Sequence, residues 1–251
     1  MPAIRAQPLA GLPEIRSGED LAQLIVQAIA DPAELEGAVV CVAHKVISKA
    51  EGAVVELAGV RATERALQIG REQDRDPRVV QVVLDESLEV LRSQRGVLIT
   101  RTRHGFVCAN AGVDASNAAA PDQLILLPRD PDRSARALRA RLTELSGRRP
   151  AVLISDSFGR AWRHGQADVA IGLAGLHPLD DWRGREDSTG MRLQATWLAV
   201  ADAAAGAADL ARAKDSREPV VIVAGLERHL SEEDGPGAAA LLRPLSEDLF
   251  R

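Results

Sequence analysis

The stretch Val97-Leu-Ile-Thr-Arg-Thr-Arg-His-Gly-Phe-Val-Cys108 decides the fold class. Val97 to Thr102 is a strand-like apolar and β-branched run, and Phe106 to Cys108 is a second one. Between them Arg103-His-Gly105 puts glycine where a tight reversal needs it. Two strands joined by so short a loop pair antiparallel, because a parallel partner needs a long crossover. Strands and helices interleave along the chain, but not as regular βαβ units. The expected class is α+β with mixed and antiparallel sheets, in preference to a doubly wound parallel sheet.

Working outward toward the N-terminus, Val79, Val82, Val83, Leu88 and Leu91 predict a helix from about Asp76 to Ser93. Thr63 to Gln73 is helix-like but polar, and Val54 to Leu57 and Ala38 to Ala43 are strand-like. Ser17-Gly-Glu-Asp20 caps an amphipathic helix that carries Leu21, Leu24, Ile25 and Ile29. Toward the C-terminus, Gln123 to Leu127 is a strand stopped by Pro128. A helix runs from Asp132 to about Leu145, ended by Gly147. Ala151 to Ser155 is an apolar strand ending in Asp156, and Asp168 to Leu173 is another. Leu193 to Ala213 is Ala-rich and helical, Pro219 to Ala224 is a strand, and a short helix follows Ser231. Asp180 to Gly190 is the best candidate for a long functional loop. With no internal repeat and no linker, residues 1–251 are expected to be one functional unit.

Composition removes several functions. The 251 residues carry 31 basic side chains, of which only Lys45, Lys49 and Lys214 are lysines and 28 are arginines. The net charge is −5, with no basic stripe, so a general nucleic-acid binder is not expected. Three Phe, three Trp and no Tyr argue against a base-stacking platform. No apolar run nears the ~20 residues of a bilayer span, and Met1 to Leu9 lacks the apolar core of a secretory signal, so a cytoplasmic protein without membrane partners is expected. Cys41 and Cys108 are too few for a disulfide framework and read as buried thiols. P-loop, dinucleotide-fingerprint, His-Glu-x-x-His and Cys-x-x-Cys motifs are all missing. Any metal is therefore expected to be hard and oxygen-ligated, in the style of Mg²⁺ or Mn²⁺.

Three clusters can carry chemistry. His44-Lys-Val-Ile-Ser-Lys-Ala-Glu-Gly52 follows an apolar strand, and Lys45 and Lys49 share a face if the segment is helical. An anion between the two ammonium groups would relieve their repulsion; on spacing alone, a phosphate site and a solvated turn fit equally. Asn110-Ala-Gly-Val-Asp-Ala-Ser-Asn117 offers oxygens from Asp114, Ser116 and Asn117, a pattern that ordinary turns also show. Ile154-Ser-Asp-Ser-Phe-Gly-Arg-Ala-Trp-Arg-His-Gly165 has little packing value of its own. Its Asp156 and Ser157 suit a divalent cation beside phosphates, and Arg160 and Arg163 suit an oxyanion. Together these describe phosphoryl chemistry without a P-loop. Asp187 and Asp202 are weaker candidates.

These residues also carry a family resemblance. The sequence resembles the coenzyme F420-0:L-glutamate ligases, the γ-glutamyl ligases of F420 biosynthesis, almost end to end. The resemblance rests on Gly11-Leu-Pro-Glu-Ile15, Gly18-Glu-Asp-Leu21, Lys45 to Gly52, His104 to Asn117, Leu126-Leu-Pro-Arg-Asp-Pro-Asp-Arg-Ser-Ala135, Ile154 to Arg163 and Pro219-Val-Val-Ile-Val223. It implies a GTP-dependent enzyme that joins L-glutamate to the phospholactyl carboxylate of F420-0 and can add a second glutamate by a γ-linkage. It implies metal ligands at Asp114, Asp156 and Ser157, and nucleotide contacts at Leu12, Pro13, Glu14, Ile15, His44, Lys49 and Asn117. A further nucleotide-binding stretch falls near Arg212 to Pro219, with Lys214 inside it. Mg²⁺ or Mn²⁺ is the implied divalent metal, and a monovalent cation such as K⁺ is compatible with it. The implied architecture is two interleaved subdomains in an intertwined homodimer. The sequence ends at Arg251 and reads as the form without the fused C-terminal flavin-type reductase domain of some relatives.

The chain departs from the family pattern at four places. Ser157 stands where Thr is common, His44 where a smaller polar residue is usual, Ala213 where Gly precedes the lysine, and Ala224-Gly225 where Arg-Gly is usual. Lys49, Arg160 and Arg163 are the expected catalytic side chains, the lysine for phosphate and the arginines for an anionic substrate. Two other readings stay open: an amide ligase for another acidic acceptor, and a catalytically silent GTP-binding protein.

Overall fold

The computed structural model describes residues 3–116, 120–213 and 215–248. The elements in chain order are β1 (Arg5–Pro8), α1 (Leu21–Ala28), β2 (Val39–Ala43), α2 (His44–Ala50), β3 (Val54–Glu56), α3 (Glu64–Gln73), α4 (Pro77–Asp85), β4 (Ser87–Gln94), β5 (Val97–Thr102), β6 (Val107–Ala109) and β7 (Gln123–Ile125). They continue with α5 (Pro131–Ser146), β8 (Ala151–Arg160), β9 (Arg163–Ala174), β10 (Leu179–Asp181), β11 (Trp197–Ala199), α6 (Val200–Ala211) and β12 (Val220–Ala224). The Val97–Cys108 hairpin forms as expected: β5 and β6 pair antiparallel, with Gly105 at φ +92° in the turn. The class is mixed α+β.

The main sheet has the order β1-β12-β2-β8-β9. Its one parallel pair is β2 with β8; the other neighbours are antiparallel. Apolar residues fill both faces of its central strands, which is why Val39-Val-Cys-Val42 reads as an unbroken run. Val40, Val42, Val152 and Ile154 pack with Ile25 of α1 and Leu138 and Leu142 of α5. Val39, Cys41, Leu153 and Val221 pack on the other side with Ala201, Ala204, Ala205 and Ala208 of α6. The small alanines let that helix lie close to the sheet. Residues 54–125 form a separate layer, with α3, α4 and the meander β4-β5-β6 around Ile69, Val80, Val83 and Leu98. No described helix is long and apolar enough to cross a membrane.

Four expected elements differ. The helix from Asp76 stops at Asp85, and Ser87–Gln94 is a strand paired with β5. Arg95-Gly96 at φ +54° and +75° makes the two-residue reversal, the kind favoured in hairpins. The five apolar residues fit one helical face because Val79, Val82 and Val83 lie in α4 and Leu88 and Leu91, three apart on β4, continue the helical spacing. The second difference is that β8 does not end at Asp156 but runs on to Arg160, paired with β9 all the way. Ladder hydrogen bonds hold this polar arm as strand after its side chains leave the core. Third, the helix expected from Leu193 begins only at Val200, because β11 pairs with β10 first. Fourth, the segment after Ser231 makes 3₁₀ turns at Ala238–Leu241 and Leu245–Glu247.

The first turn of α5 sits directly on β9. A Cβ at Gly172 would lie 2.4 Å from the Pro131 carbonyl oxygen. Gly172→Ala is expected to lose about 1–3 kcal/mol through overpacking, read as a lower urea midpoint at unchanged slope.

Candidate active site

β2 and β8 run parallel, so their carboxyl ends lie together, where open α/β-type sheets offer a crevice. The Ala43–Ser155 pair is the last between them. Beyond it β2 turns at once into α2, while β8 continues alone with β9. The chemistry-bearing side chains gather at this divergence.

His44 opens α2 and is 2% exposed. Its Nε2 lies 3.2 Å from Asp156 Oδ1, yet is not aligned to hydrogen-bond with it. The buried ring nitrogen has no hydrogen-bond partner among the described residues. Its Nδ1 is 3.4 Å from Ser48 Oγ, one turn on. Asp156 Oδ1 also accepts the Ser157 N–H at 2.8 Å. Next along α2, Lys45 Nζ meets Asp114 Oδ2 at 2.7 Å and Ser116 Oγ at 2.6 Å. Two consecutive residues of one helix thus reach the two aspartates that the sequence singled out. Burial acts to raise the Asp114 carboxyl, but hydrogen bonds from Lys45 and from the Ser116 N–H outweigh it and hold the group below its usual range.

Asp114 is set by an uncommon backbone. Asn110, Ala111 and Gly112 have φ of +52°, +55° and +72°, and two of the three have a Cβ that disfavours this region. Asn110 Oδ1 secures the turn by accepting Arg75 Nη1 at 2.9 Å and the Leu98 N–H at 3.3 Å. Asp114 then exchanges both backbone hydrogen bonds with Ile125 of β7, at 3.0 and 2.8 Å.

Asp156 and Ser157 are consecutive in an extended strand, so they point to opposite faces of it. Asp156 shares the face of Ile154 and Phe158. Ser157 shares that of Leu153 and Ser155, and its hydroxyl donates to Asp168 of β9 at 2.6 Å. Arg160 and Arg163 pair across the exposed tip of this β8–β9 arm, with Arg160 Nη2 donating to the His164 carbonyl at 2.5 Å. Trp162 between them is 81% exposed. The arginines are thus carried out on the arm and do not reach the two aspartates in this structure.

Lys49 lies one turn after Lys45 and forms an ion pair with Glu14. Ile15 is buried in the core and Leu12 packs against it, while Pro13 and Glu14 are exposed. The Leu12–Ile15 segment is therefore anchored by its apolar ends and presents Glu14 to α2. Asn117 and Lys214 lie outside the described residues. Cys41 and Cys108 are both buried, and burial pushes each thiol up to about 12. A thiol so held is not a nucleophile at neutral pH.

The family model for F420-0:Gamma-glutamyl ligase matches residues 11–225. The chain belongs to this family. It is 44% identical to the Coenzyme F420:L-glutamate ligase of Methanopyrus kandleri, over 100% of this chain and 99% of that one. Identity to the protein of the same name from Methanothermobacter thermautotrophicus is 42%, over 96% of each chain. Identity to that of Methanocaldococcus jannaschii is 38%, over 96% of this chain and 94% of the other. Among the F420-0:γ-glutamyl ligase family's expected glycines, Gly225 is held by contact as well as by its φ of +91°, since a Cβ there would lie 2.5 Å from the Ala3 carbonyl oxygen.

Sequence reasoning missed Asp168, which accepts from Ser155, Ser157 and Arg212. No local signal marks it: the Ala161-Trp162 turn with a regular ladder would lay Ser157 opposite Gln166, and the register shift between Gly159 and Arg160 brings Asp168 there instead. Asp202 is structural: its Oδ1 accepts the Ala170 N–H at 2.9 Å, beside the irregularity where β9 carries an extra residue. Burial raises its carboxyl pKa. The native state therefore binds that proton more tightly, and stability falls as pH rises from the unfolded value toward the raised one. Asp202→Asn keeps an acceptor for Ala170 and carries no charge to desolvate. It is expected to melt higher than wild type at pH 7 and level with it below pH about 3.5, where Asp202 is protonated in both states. Asp187 caps its own loop through the Thr189 and Met191 N–H groups and is exposed.

Proposed function

We propose that the protein joins L-glutamate to the phospholactyl carboxylate of coenzyme F420-0 at the expense of GTP. The observation that carries this reading is the full-length likeness to ligases named for that coenzyme and that amino acid. The site supplies parts that suit it. A carboxylate does not form an amide in water without activation. Attack of the acceptor carboxylate on the γ-phosphorus breaks the bond to GDP and gives an acyl phosphate. The glutamate amine then displaces phosphate, and the γ-carboxylate of the first glutamate can repeat the cycle.

Among the described residues no three His, Cys, Asp or Glu side chains converge on one point. Asp114, Asp156 and Ser157 nevertheless fit a hard cation, because Mg²⁺ takes one or two carboxylates and completes its shell with water and phosphate oxygens. The Lys45 ammonium places positive charge against Asp114, and the buried His44 nitrogen beside Asp156 has no hydrogen-bond partner among the described residues. One or two divalent cations, Mg²⁺ or Mn²⁺, would be held by these three residues and would neutralise charge on the β- and γ-phosphates. Since Asp156 and Ser157 face opposite ways, the set also fits two ions, one on each side of β8.

Lys49, with Lys45 one turn away, binds phosphate. Leu12 to Ile15, His44, Asn117 and Lys214 complete the nucleotide's surroundings in this reading. Arg160 and Arg163 hold the anionic acceptor or glutamate as the arm approaches. The working assembly is a homodimer, which light scattering tests. Lys49→Ala is expected to weaken GTP binding roughly ten- to hundredfold, the scale of one charge-assisted hydrogen bond, read by calorimetric titration. The deciding experiment incubates the protein with GTP, Mg²⁺ or Mn²⁺, glutamate and F420-0 and weighs the product. A mass gain of one or two glutamyl groups is expected; bound GTP with no product would sink the substrate assignment.

A further inference from the structure

Asp168 belongs to none of the clusters singled out from the sequence. It is 2% exposed and lies directly opposite Ser157. Among the described residues, Ser157, Ser155 and Arg212 donate to its carboxylate. Ser157 Oγ donates to Oδ1 at 2.6 Å, Ser155 Oγ to Oδ2 at 2.7 Å, and Arg212 Nη2 to Oδ2 as an ion pair. Arg212 also donates to Ser155 Oγ and to the Pro219 carbonyl, each at 3.2 Å. Arg212 ends α6, so this buried network ties β8, β9 and the entry to β12 together at the Ser157 level.

A hydroxyl has one proton and two lone pairs. Ser157 commits its proton to Asp168, so its oxygen meets any further group as an acceptor. That suits a cation and opposes a phosphate oxygen, which is acceptor-only as well. If Asp168 could not accept, the hydroxyl would be free to rotate and donate to phosphate.

We propose that Asp168 is a positioning residue: by holding the Ser157 proton it makes the Ser157 oxygen a dedicated ligand for a divalent cation. Arg212 and Ser155 fix the carboxylate so that Oδ1 stays turned toward Ser157. The inference rests on the metal reading given above, and its test separates the two.

The test is Mn²⁺ binding to the full chain without nucleotide, followed by the paramagnetic resonance of free Mn²⁺, with folding checked by circular dichroism. Ser157→Ala and Asp168→Ala, which leaves no acceptor for the Ser157 proton, are each expected to weaken binding roughly ten- to hundredfold, as for groups that orient metal ligands. The double variant is expected to bind no worse than Ser157→Ala alone, since both changes remove one ligand. Ser157→Thr keeps the hydroxyl, and Ser155→Ala leaves Oδ1 in place; both are expected to stay within about threefold of wild type. A general loss of packing would lower the melting temperature without this non-additivity. Wild-type affinity in Asp168→Ala, or additive losses in the double variant, overturns the positioning role while leaving the metal reading standing. Unchanged binding in Ser157→Ala removes the ligand and the proposal with it. Unchanged binding in Asp156→Ala as well, or no binding by the wild type, sinks the metal reading too. If Asp168→Ala does not fold, Asp168→Leu, which fills the volume without accepting, is measured in its place and read in the same way.

Discussion

Asp156→Ala is expected to reduce glutamate ligation by at least about a hundredfold, with the protein still folded. Loss of a group that merely orients a metal ligand already costs ten- to hundredfold, and in the proposed function Asp156 is the ligand itself. Its carboxylate also faces the buried His44 ring at 3.2 Å, so the variant changes the charge around two groups at once. Folding is expected to survive, because Asp156 lies past the last β2–β8 pair and the β8–β9 ladder is made by backbone groups. Asp156→Asn keeps the acceptor for the Ser157 N–H and serves as the control for local structure; it is expected to be as inactive as the alanine. Product mass from F420-0 measures both. Near-wild-type turnover in either variant would take Asp156 out of the metal site.

The local features of the fold were legible where one residue type has one structural use. Gly105 turned the β5–β6 hairpin, Gly147 ended α5 at φ +68°, and the apolar run Val39–Val42 became a strand buried on both faces. Legibility failed where pairing decided the outcome. Ser87–Gln94 has too weak an alternation to declare itself, and only β5 beside it makes it a strand. The β8–β9 arm is the same case on a larger scale, since polar residues from Asp156 to Asp168 stay extended because they bond each other's backbone.

The candidate site followed the same division. Lys45, Asp114 and Asp156 could be picked out by residue type and by the segments they follow, and α2 brings the first to the second. Asp168 could not, because its role depends on being opposite Ser157, a long-range fact that needs the register of the hairpin. Arg160 and Arg163 were legible as a pair of guanidinium groups, but their spacing said nothing of how far the arm would carry them from Asp156. Asn110 and Ala111 in left-handed conformation were also hidden, because neither residue announces it as a glycine does.

A buried arginine on α5 ties together segments far apart in the chain. Arg139→Ala is expected to cost about 3 kcal/mol, because the Pro150 and Ser231 carbonyls lose a charged donor at roughly 1–3 kcal/mol each, whereas Asp234, 40% exposed, regains water. Arg139 is 3% exposed on α5. Its Nε donates to the Pro150 carbonyl at 3.0 Å, its Nη2 to that of Ser231 at 2.6 Å, and its Nη1 to that of Glu232 at 3.2 Å and to Asp234 Oδ1 at 2.8 Å. One planar fork thus joins the residue just before β8 to the segment after Leu230. Gly175 at φ +77° gives it room, since a Cβ there would lie 2.4 Å from the guanidinium carbon. Alanine would strand three carbonyls that have lost their donor and leave a cavity above Gly175. The loss is large against the 5–15 kcal/mol typical of a whole domain. Arg139→Lys offers three donors from a point rather than a fork, so it should recover only part of it. Arg139→Met fills the volume without donating. If urea unfolding finds the methionine variant near wild type, Arg139 acts by packing alone; a loss close to that of alanine means the hydrogen-bonded fork holds the start of β8, and with it the strand that carries Asp156 and Ser157.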